Sequence, residues 1–268
     1  MAEELTSVAP LLPLLERRPL GLFCDIDGTL APIVPNPEEA QVTPEARRRL
    51  AQLTAAGVRV ALVTGRAVEM ARRIAPVEGA VIVGNHGLNL FIDGAVETPE
   101  AAREYVLLAQ AALAELSRRL LPGVVVEDKG PVLALHFRTA PDEEAARHAI
   151  LEAIAASEAA RRFTVYEGRK VIELRPPLAV DKGTAVVRLA ERLGLGAALA
   201  LGDDITDVDM FRGVEELKQR GLAGASVAVW SEEANPMLLE VTDYFVKGVG
   251  GVVWLLGEMA AALSAKRP

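Results

Sequence analysis

The stretch Leu22-Phe23-Cys24-Asp25-Ile26-Asp27-Gly28-Thr29-Leu30 constrains this chain more than any other. An apolar run of strand-forming residues leads straight into two carboxylates one residue apart, and then into a glycine. That order predicts a buried strand whose carboxyl end delivers acidic side chains into a loop. On a continuing strand the i, i+2 spacing of Asp25 and Asp27 puts both on one face. Carboxylates kept together beside an apolar core repel each other and lose hydration, and a divalent cation is the usual remedy. Taken alone, the stretch also reads as an Asp-Gly turn with a solvated Asp on each side. Its company favours the first reading, because three further polar clusters follow, each at the end of a predicted strand.

Along the chain, three prolines between Ala31 and Pro37 predict a stiff, extended loop. Thr43-Pro44 then predicts an N-cap and first helical residue, with the helix running to about Ala56 and stopping at Gly57. Strands are expected at Val58–Val63 and Ala80–Val83, separated by a helix to about Ile74, and a hairpin turns at Asp93-Gly94. Strands alternating with helices imply parallel βαβ units. From about Pro99 the rhythm changes to helix, two strands, helix, two strands, closed by Pro176-Pro177. The alternation resumes at Asp181-Lys182 and ends in a C-terminal amphipathic helix after Gly250-Gly251. The expected organisation is a core of 1–98 plus 177–268 and an inserted α+β domain of 99–176.

In open parallel sheets, ligands bind outside the carboxyl ends of the strands. Asp25/Asp27, Thr64-Gly65-Arg66, Gly84-Asn85-His86-Gly87, and Asp203/Asp204 with Asp207 all have that address, and the helix start at Asp181-Lys182 joins them. Together they suit phosphoryl transfer, which needs a nucleophile, charge neutralisation around phosphorus, and a proton donor for the leaving group. Asp25 can attack and Asp27 can protonate the leaving oxygen and then activate water. Asp203 can ligate Mg²⁺ directly, and Asp204 and Asp207 can act behind it or through water. Thr64 and the Gly65 N–H can donate to phosphate at a helix start. Lys182 lies in the first turn of a helix, where its charge opposes the dipole, so a bound anion would explain it. Each cluster has a plainer reading: an Asx turn, a Thr/Gly cap, a solvated lysine. A lone His such as His86 is more often structural than catalytic.

Composition narrows the class. The formal charge of −8 and the lack of a basic stripe interleaved with aromatics argue against nucleic-acid binding. No uncharged apolar stretch approaches the roughly 20 residues of a membrane span, and the N-terminal segment is a poor signal peptide. A soluble, cytoplasmic protein is expected. The single Cys24 excludes an internal disulfide framework and reads as a buried core thiol. An oxygen-only, acidic donor set argues against zinc. No Walker A sequence is present, and Gly194-Leu195-Gly196 lacks the third glycine of a dinucleotide fingerprint.

In order, Asp25-Ile26-Asp27-Gly28-Thr29, Thr64-Gly65-Arg66, Lys182 and Gly202-Asp203-Asp204 resemble motifs one to four of the haloacid-dehalogenase-like (HAD) phosphatases. The resemblance covers about residues 20–260. It implies an α/β fold: a HAD-like Rossmannoid core with a parallel sheet and an inserted α+β (αββαββ) cap. It also implies Asp25 as nucleophile, Asp27 as acid/base, catalytic Lys182 and Thr64, and Mg²⁺ held by Asp25, Asp27 and Asp203. Narrower stretches resemble the trehalose-6-phosphate phosphatases of that superfamily: Gly84-Asn85-His86-Gly87, Glu127-Asp128-Lys129-Gly130 with His136-Phe137-Arg138, and Gly168-Arg169-Lys170 through Glu173 to Pro176. These imply a small sugar-phosphate substrate touched by Gly65, Arg66, Asn85, His86, Glu127, Lys129, Arg138, Lys170 and Glu173. They also imply a functional link to a trehalose-6-phosphate synthase. Physically, Glu127 and Glu173 could accept from sugar hydroxyls, while Lys129, Arg138 and Lys170 could donate; cross-strand charge balancing is the plainer account. Rival expectations are a phosphatase for sucrose or mannosylglycerate phosphates, and an inactive sensing or scaffold domain.

Overall fold

A computed structural model describes residues 1–34 and 37–265. The part of the proline-rich loop at Pro35 and Asn36 lies outside them. The chain opens with a two-residue strand, Glu3–Glu4 (β1), and one helical turn, Leu12–Leu15 (α1). Both are too short to leave a periodic pattern. The strand before the acidic pair is Leu20–Cys24 (β2), buried throughout. Next come Pro44–Ala55 (α2), Arg59–Val63 (β3), Val68–Ile74 (α3) and Val81–Gly84 (β4). Thr43 caps α2, its side chain accepting from Ala46 N–H at 3.2 Å. The expected hairpin is Asn89–Ile92 (β5) with Ala95–Glu97 (β6).

The inserted stretch contains Glu100–Leu116 (α4), Val125–Asp128 (β7), Leu133–His136 (β8), Glu143–Ala156 (α5), Thr164–Gly168 (β9) and Val171–Arg175 (β10). The chain then continues with Lys182–Arg192 (α6), Ala197–Gly202 (β11), Asp207–Gln219 (α7), Ala223–Trp230 (β12), Leu238–Val241 (α8), Tyr244–Lys247 (β13) and Gly248–Ser264 (α9). Gly250 and Gly251, expected ahead of the last helix, lie inside it. Val252, Leu255, Leu256, Met259 and Leu263 are buried against the sheet, and that packing outweighs the low helix propensity of glycine.

Two compact units result: Met1–Glu97 with Val180–Pro268, and Thr98–Ala179. Among the described residues the larger unit has one nine-stranded sheet, ordered β1-β13-β12-β11-β2-β3-β4-β5-β6. Its strands are parallel from β1 to β4, and β5 and β6 are antiparallel. Strand order reverses at β2, which has β11 on one side and β3 on the other. The acidic pair therefore leaves the sheet at a topological switch point. Both faces of β2 are buried: Leu20, Leu22 and Cys24 pack with residues of α2 and α9, and Phe23 with residues of α6 and α7. The α6 and α7 helices approach closely because both carry glycine at the crossing. A Cβ on Gly213 would lie 2.6 Å from the Gly183 carbonyl oxygen.

The smaller unit is an antiparallel sheet, β7-β8-β10-β9, with one face against α4 and α5. Leu133, Leu135, Ile172 and Leu174 form that buried face, and Tyr105 meets Phe163 edge-on at 5.2 Å. The alternate residues, Glu127, Ala134, His136, Glu173 and Arg175, belong to the opposite face.

Candidate active site

Asp25 follows β2 directly and Asp203 follows β11, its sheet neighbour. Asp207 begins α7, four residues after Asp203, and is fully buried. Lys182 opens α6 behind an Asp181–Thr184 capping box, which fixes where the side chain leaves the helix. Because α6 and α7 are in close contact, the Lys182 ammonium meets both strand-end and helix-start carboxylates. Its Nζ donates to Asp25 Oδ1 and to Asp207 Oδ1, each at 2.7 Å, with the lysine side chain only 3% exposed. The anion sought for this dipole-opposing lysine is thus supplied by the chain itself.

Asp207 also fixes the loop before it. Its Oδ2 accepts from the backbone N–H of Asp203 at 2.9 Å and of Asp204 at 3.0 Å. Thr29 Oγ1 donates to Asp203 Oδ1 at 3.0 Å. Gly28, at φ +85°, leaves the space that the Asp203 carboxylate fills, and a Cβ there would collide with it.

The carboxylates of Asp25, Asp203 and Asp207 each bring one oxygen within 4.8 Å of the others. Electrostatics show what this arrangement lacks. Burial, with Asp207, Asp203 and Asp27 adding to it, pushes Asp25 well above the ordinary carboxylate range, while Lys182 opposes the rise. Burial and the nearby Asp207 push Asp203 up to about 7. Burial would lower the Lys182 pKa, but Asp207 and Asp25 overcome that and raise it. One ammonium does not balance three carboxylates. A hard cation on oxygen donors fits the set.

This cluster differs from the expected metal set. Asp27 is not among the three. It sits beyond the strand, in a tight turn where Gly28 N–H donates to the Ala31 carbonyl. Arg66 takes both its carboxylate oxygens, Nε to Oδ2 at 2.6 Å and Nη2 to Oδ1 at 2.7 Å. The i, i+2 argument assumed a strand continuing through Asp27; the strand ends at Cys24, and the two carboxylates have different partners. Asp207, expected behind the metal, replaces Asp27 in the cluster. Asp204 is exposed and accepts from Ile205 N–H at 2.7 Å.

The remaining core positions are near the same strand ends. Thr64 follows β3, is buried, and its Oγ1 accepts from Arg66 N–H at 3.2 Å. The His86 ring covers Gly65, leaving no room for a Cβ. Asn85 is buried, and its Nδ2 donates to Asn89 Oδ1 at 2.7 Å. Cys24 is buried and its thiol is pushed up, first by burial, which suits a core residue.

In the smaller unit, Glu127 and Glu173 flank Ala134 on neighbouring strands. Lys129 Nζ bridges them, 2.9 Å from Glu173 Oε1 and 3.9 Å from Glu127 Oε2. His136 Nε2 lies 2.9 Å from Glu127 Oε2. Burial would raise the Glu127 pKa, but His136 and Lys129 hold it below its ordinary value. Arg175 Nε donates to Glu173 Oε2 at 2.9 Å, and its guanidinium lies 4.4 Å from the centre of the Tyr166 ring. Lys170 does not join this row. It sits at φ +62° in the β9–β10 turn and pairs with Glu143 at 2.7 Å. Arg138 is exposed just beyond β8.

A model of the family described as trehalose-phosphatase matches residues 23–237. The chain belongs to the trehalose-phosphatase family. A trehalose-phosphate phosphatase of Mycobacterium avium is 41% identical over 206 residues, 72% of this chain and 51% of that protein. One of Mycobacterium tuberculosis is 35% identical over 206 residues, 74% of this chain and 52% of that protein. An uncharacterized glycosyl hydrolase of the same species is 36% identical over 208 residues, 15% of its length. The chain thus spans about half, or less, of the curated relatives it matches. Among solved structures, the C-terminal domain of the C. albicans trehalose-6-phosphate phosphatase superposes with a TM-score of 0.75 at 23% identity, covering 97% of this chain and 98% of that one. A haloacid dehalogenase-like hydrolase of Bacteroides thetaiotaomicron gives 0.62 at 16%, covering 90% and 99%. Trehalose-phosphatase family membership and the HAD-like core-plus-cap fold agree with the motif order read from the sequence. Among the described residues no helix is long and apolar enough to cross a membrane.

Proposed function

We propose that this chain hydrolyses trehalose 6-phosphate to trehalose and phosphate through a phosphorylated Asp25. The observation that carries the chemistry is the Lys182 ammonium joining Asp25 to Asp207 beside Asp203. Side chains from three separate stretches converge there, in a chain whose family is trehalose-phosphatase. Lys182 holds Asp25 by Oδ1, which leaves Oδ2 to attack phosphorus. A bond forms from that oxygen to phosphorus as the bond from phosphorus to the sugar oxygen breaks, and the sugar oxygen takes a proton.

Asp27 is the proton carrier in this reading. Oriented by Arg66 at both oxygens, it takes a proton from the water attacking phospho-Asp25. The proton gained from that water is the one Asp27 gives to the leaving sugar oxygen of the next turnover, once Arg66 has moved off it, and the substrate phosphate has the charge to draw the guanidinium away. Asp25, Asp203 and Asp207 would hold Mg²⁺, which supplies charge neutralisation between the carboxylates and the phosphate. In the cap, Glu127, Lys129 and Glu173 exchange hydrogen bonds with sugar hydroxyls. The same reading makes the chain the consumer of what a trehalose-6-phosphate synthase produces.

Phosphate release from purified protein across a panel of sugar phosphates, with and without a chelator, tests the reading. Trehalose 6-phosphate should lead the panel and chelator should abolish the signal. A higher kcat/KM for sucrose phosphate or mannosylglycerate phosphate would overturn the substrate, and chelator-insensitive turnover would overturn the metal.

A further inference from the structure

The cap row includes two residues, His136 and Arg175, to which the sequence reading gave no role in binding. On one side His136 contacts Glu127, and on the other Arg175 contacts Glu173, with Tyr166 against the guanidinium. We propose that His136 and Arg175 are positioning residues for sugar recognition, each fixing the orientation of one hydroxyl-accepting carboxylate. The inference rests on the reading that Glu127 and Glu173 meet sugar hydroxyls.

Stability alone gives a poor account of the row. Lys129 and Glu173 are 7% and 9% exposed, on the sheet face opposite α4 and α5. Desolvating an ion pair costs about as much as its attraction returns, and exposed pairs contribute about 0–1 kcal/mol. The arrangement has another consequence: it selects a ligand class. Carboxylates accept and do not donate, so the complementary groups are hydroxyl or amine donors. Glu127 and Glu173 are balanced by Lys129 and Arg175, so the row carries no charge to recruit an ion, and a neutral polyol fits it. Cross-strand register puts Glu127, Ala134 and Glu173 in one line, and the lysine bridge passes over the small Ala134.

The two holders act on different atoms. The His136 and Lys129 contacts with Glu127 both fall on Oε2, which leaves Oε1 available to accept. Glu173 is held at both oxygens, Oε1 by Lys129 and Oε2 by Arg175. Arg175 holds Oε2 through both Nε and Nη2, which fixes the plane of the Glu173 carboxylate. Arg175 is itself oriented by stacking on Tyr166, which a lysine ammonium would not reproduce.

The test uses the intact enzyme and two substrates: the leading sugar phosphate of the panel, and p-nitrophenyl phosphate, which carries no sugar. For His136→Ala and Arg175→Lys, the ratio of kcat/KM for the sugar phosphate to that for p-nitrophenyl phosphate should fall about ten-fold, mostly through KM. His136→Gln, which keeps a donor, should recover most of the ratio. Arg147→Ala, which breaks an exposed pair with Glu167 on the same cap, should leave the ratio unchanged. An unchanged ratio in Arg175→Lys and His136→Ala overturns the proposal, as does equal loss on both substrates with a lowered Tm. Glu173→Gln separates the two levels. If it also leaves the sugar KM unchanged, the sugar-reading role falls with the proposal; if it raises KM while Arg175→Lys does not, only the positioning role falls.

Discussion

The core cluster and the cap row handle charge in opposite ways. In the core, Asp25, Asp27, Asp203 and Asp207 face two cations, Lys182 and Arg66. In the cap, Glu127 and Glu173 face Lys129 and Arg175, with His136 beside them. The core set is short of positive charge, and its carboxylate pKa values are raised, first by burial and then by the neighbouring carboxylates. The cap row is balanced, and Glu127 stays below its ordinary value. A site left short of cations can take a metal and then a phosphate. A balanced site can take neutral hydroxyls without moving a counterion. In the proposed function, the difference separates the chemistry of the phosphate from the choice of sugar.

The largest effect that could break this contrast is on turnover. Asp25→Asn should lower phosphate release by about a thousand-fold or more, because the attacking group is gone; near-normal turnover would remove Asp25 as nucleophile. Stability comes next. Lys182→Met leaves Asp25 and Asp207 buried without their ammonium and should destabilise the chain by about 3–5 kcal/mol in urea. Lys129→Met should cost less, about 1–2 kcal/mol, because Glu173 keeps Arg175. Equal losses would erase the distinction between the two regions.

A smaller effect concerns metal and pH. A raised Asp203 pKa means the folded state holds its proton more tightly than the unfolded chain does. Its contribution to stability is present below the ordinary Asp range and is lost as pH rises through about 7. Metal-free protein should therefore melt lower at pH 8 than at pH 6 on account of this group. Added Mg²⁺ should raise Tm more at pH 8. In Asp203→Asn the metal-free Tm should rise by about 2–4 °C and the Mg²⁺ response should disappear; a retained response in calorimetry would place the cation elsewhere. Smallest of all, Arg220→Ala, which breaks exposed pairs with Glu191 and Glu216, should change stability by no more than about 0.5 kcal/mol.

Much of this was legible in the sequence, and the reasons are local. β2 showed itself because a strand buried on both faces is a continuous apolar run, and α2 because Thr43-Pro44 is a start signal. Asp25, Lys182 and Asp203 could be placed because ligand sites lie at strand ends and helix starts. What could not be read was who holds whom. Arg66 grips Asp27 across 39 residues of chain, and Lys182 reaches Asp25 across 157. Only packing decides such pairings, here the approach of α6 to α7 at Gly183 and Gly213. The same limit separates Lys170 from Glu173: three residues apart in sequence, they are parted by a left-handed turn that sends the lysine to Glu143.

Gly28 has a consequence for how such a site can change over time. The space a side chain would need at position 28 is already filled by the carboxylate of Asp203, 175 residues further on. A mutation that adds even a methyl group there displaces an acid from another motif. Shrinking residue 203 to make room removes that acid instead. Neither single step leaves a working site, so the two positions can drift only as a pair. A lineage that loses the chemistry at one of them is freed at the other. Gly28 and Asp203 are locked in inheritance as firmly as in space.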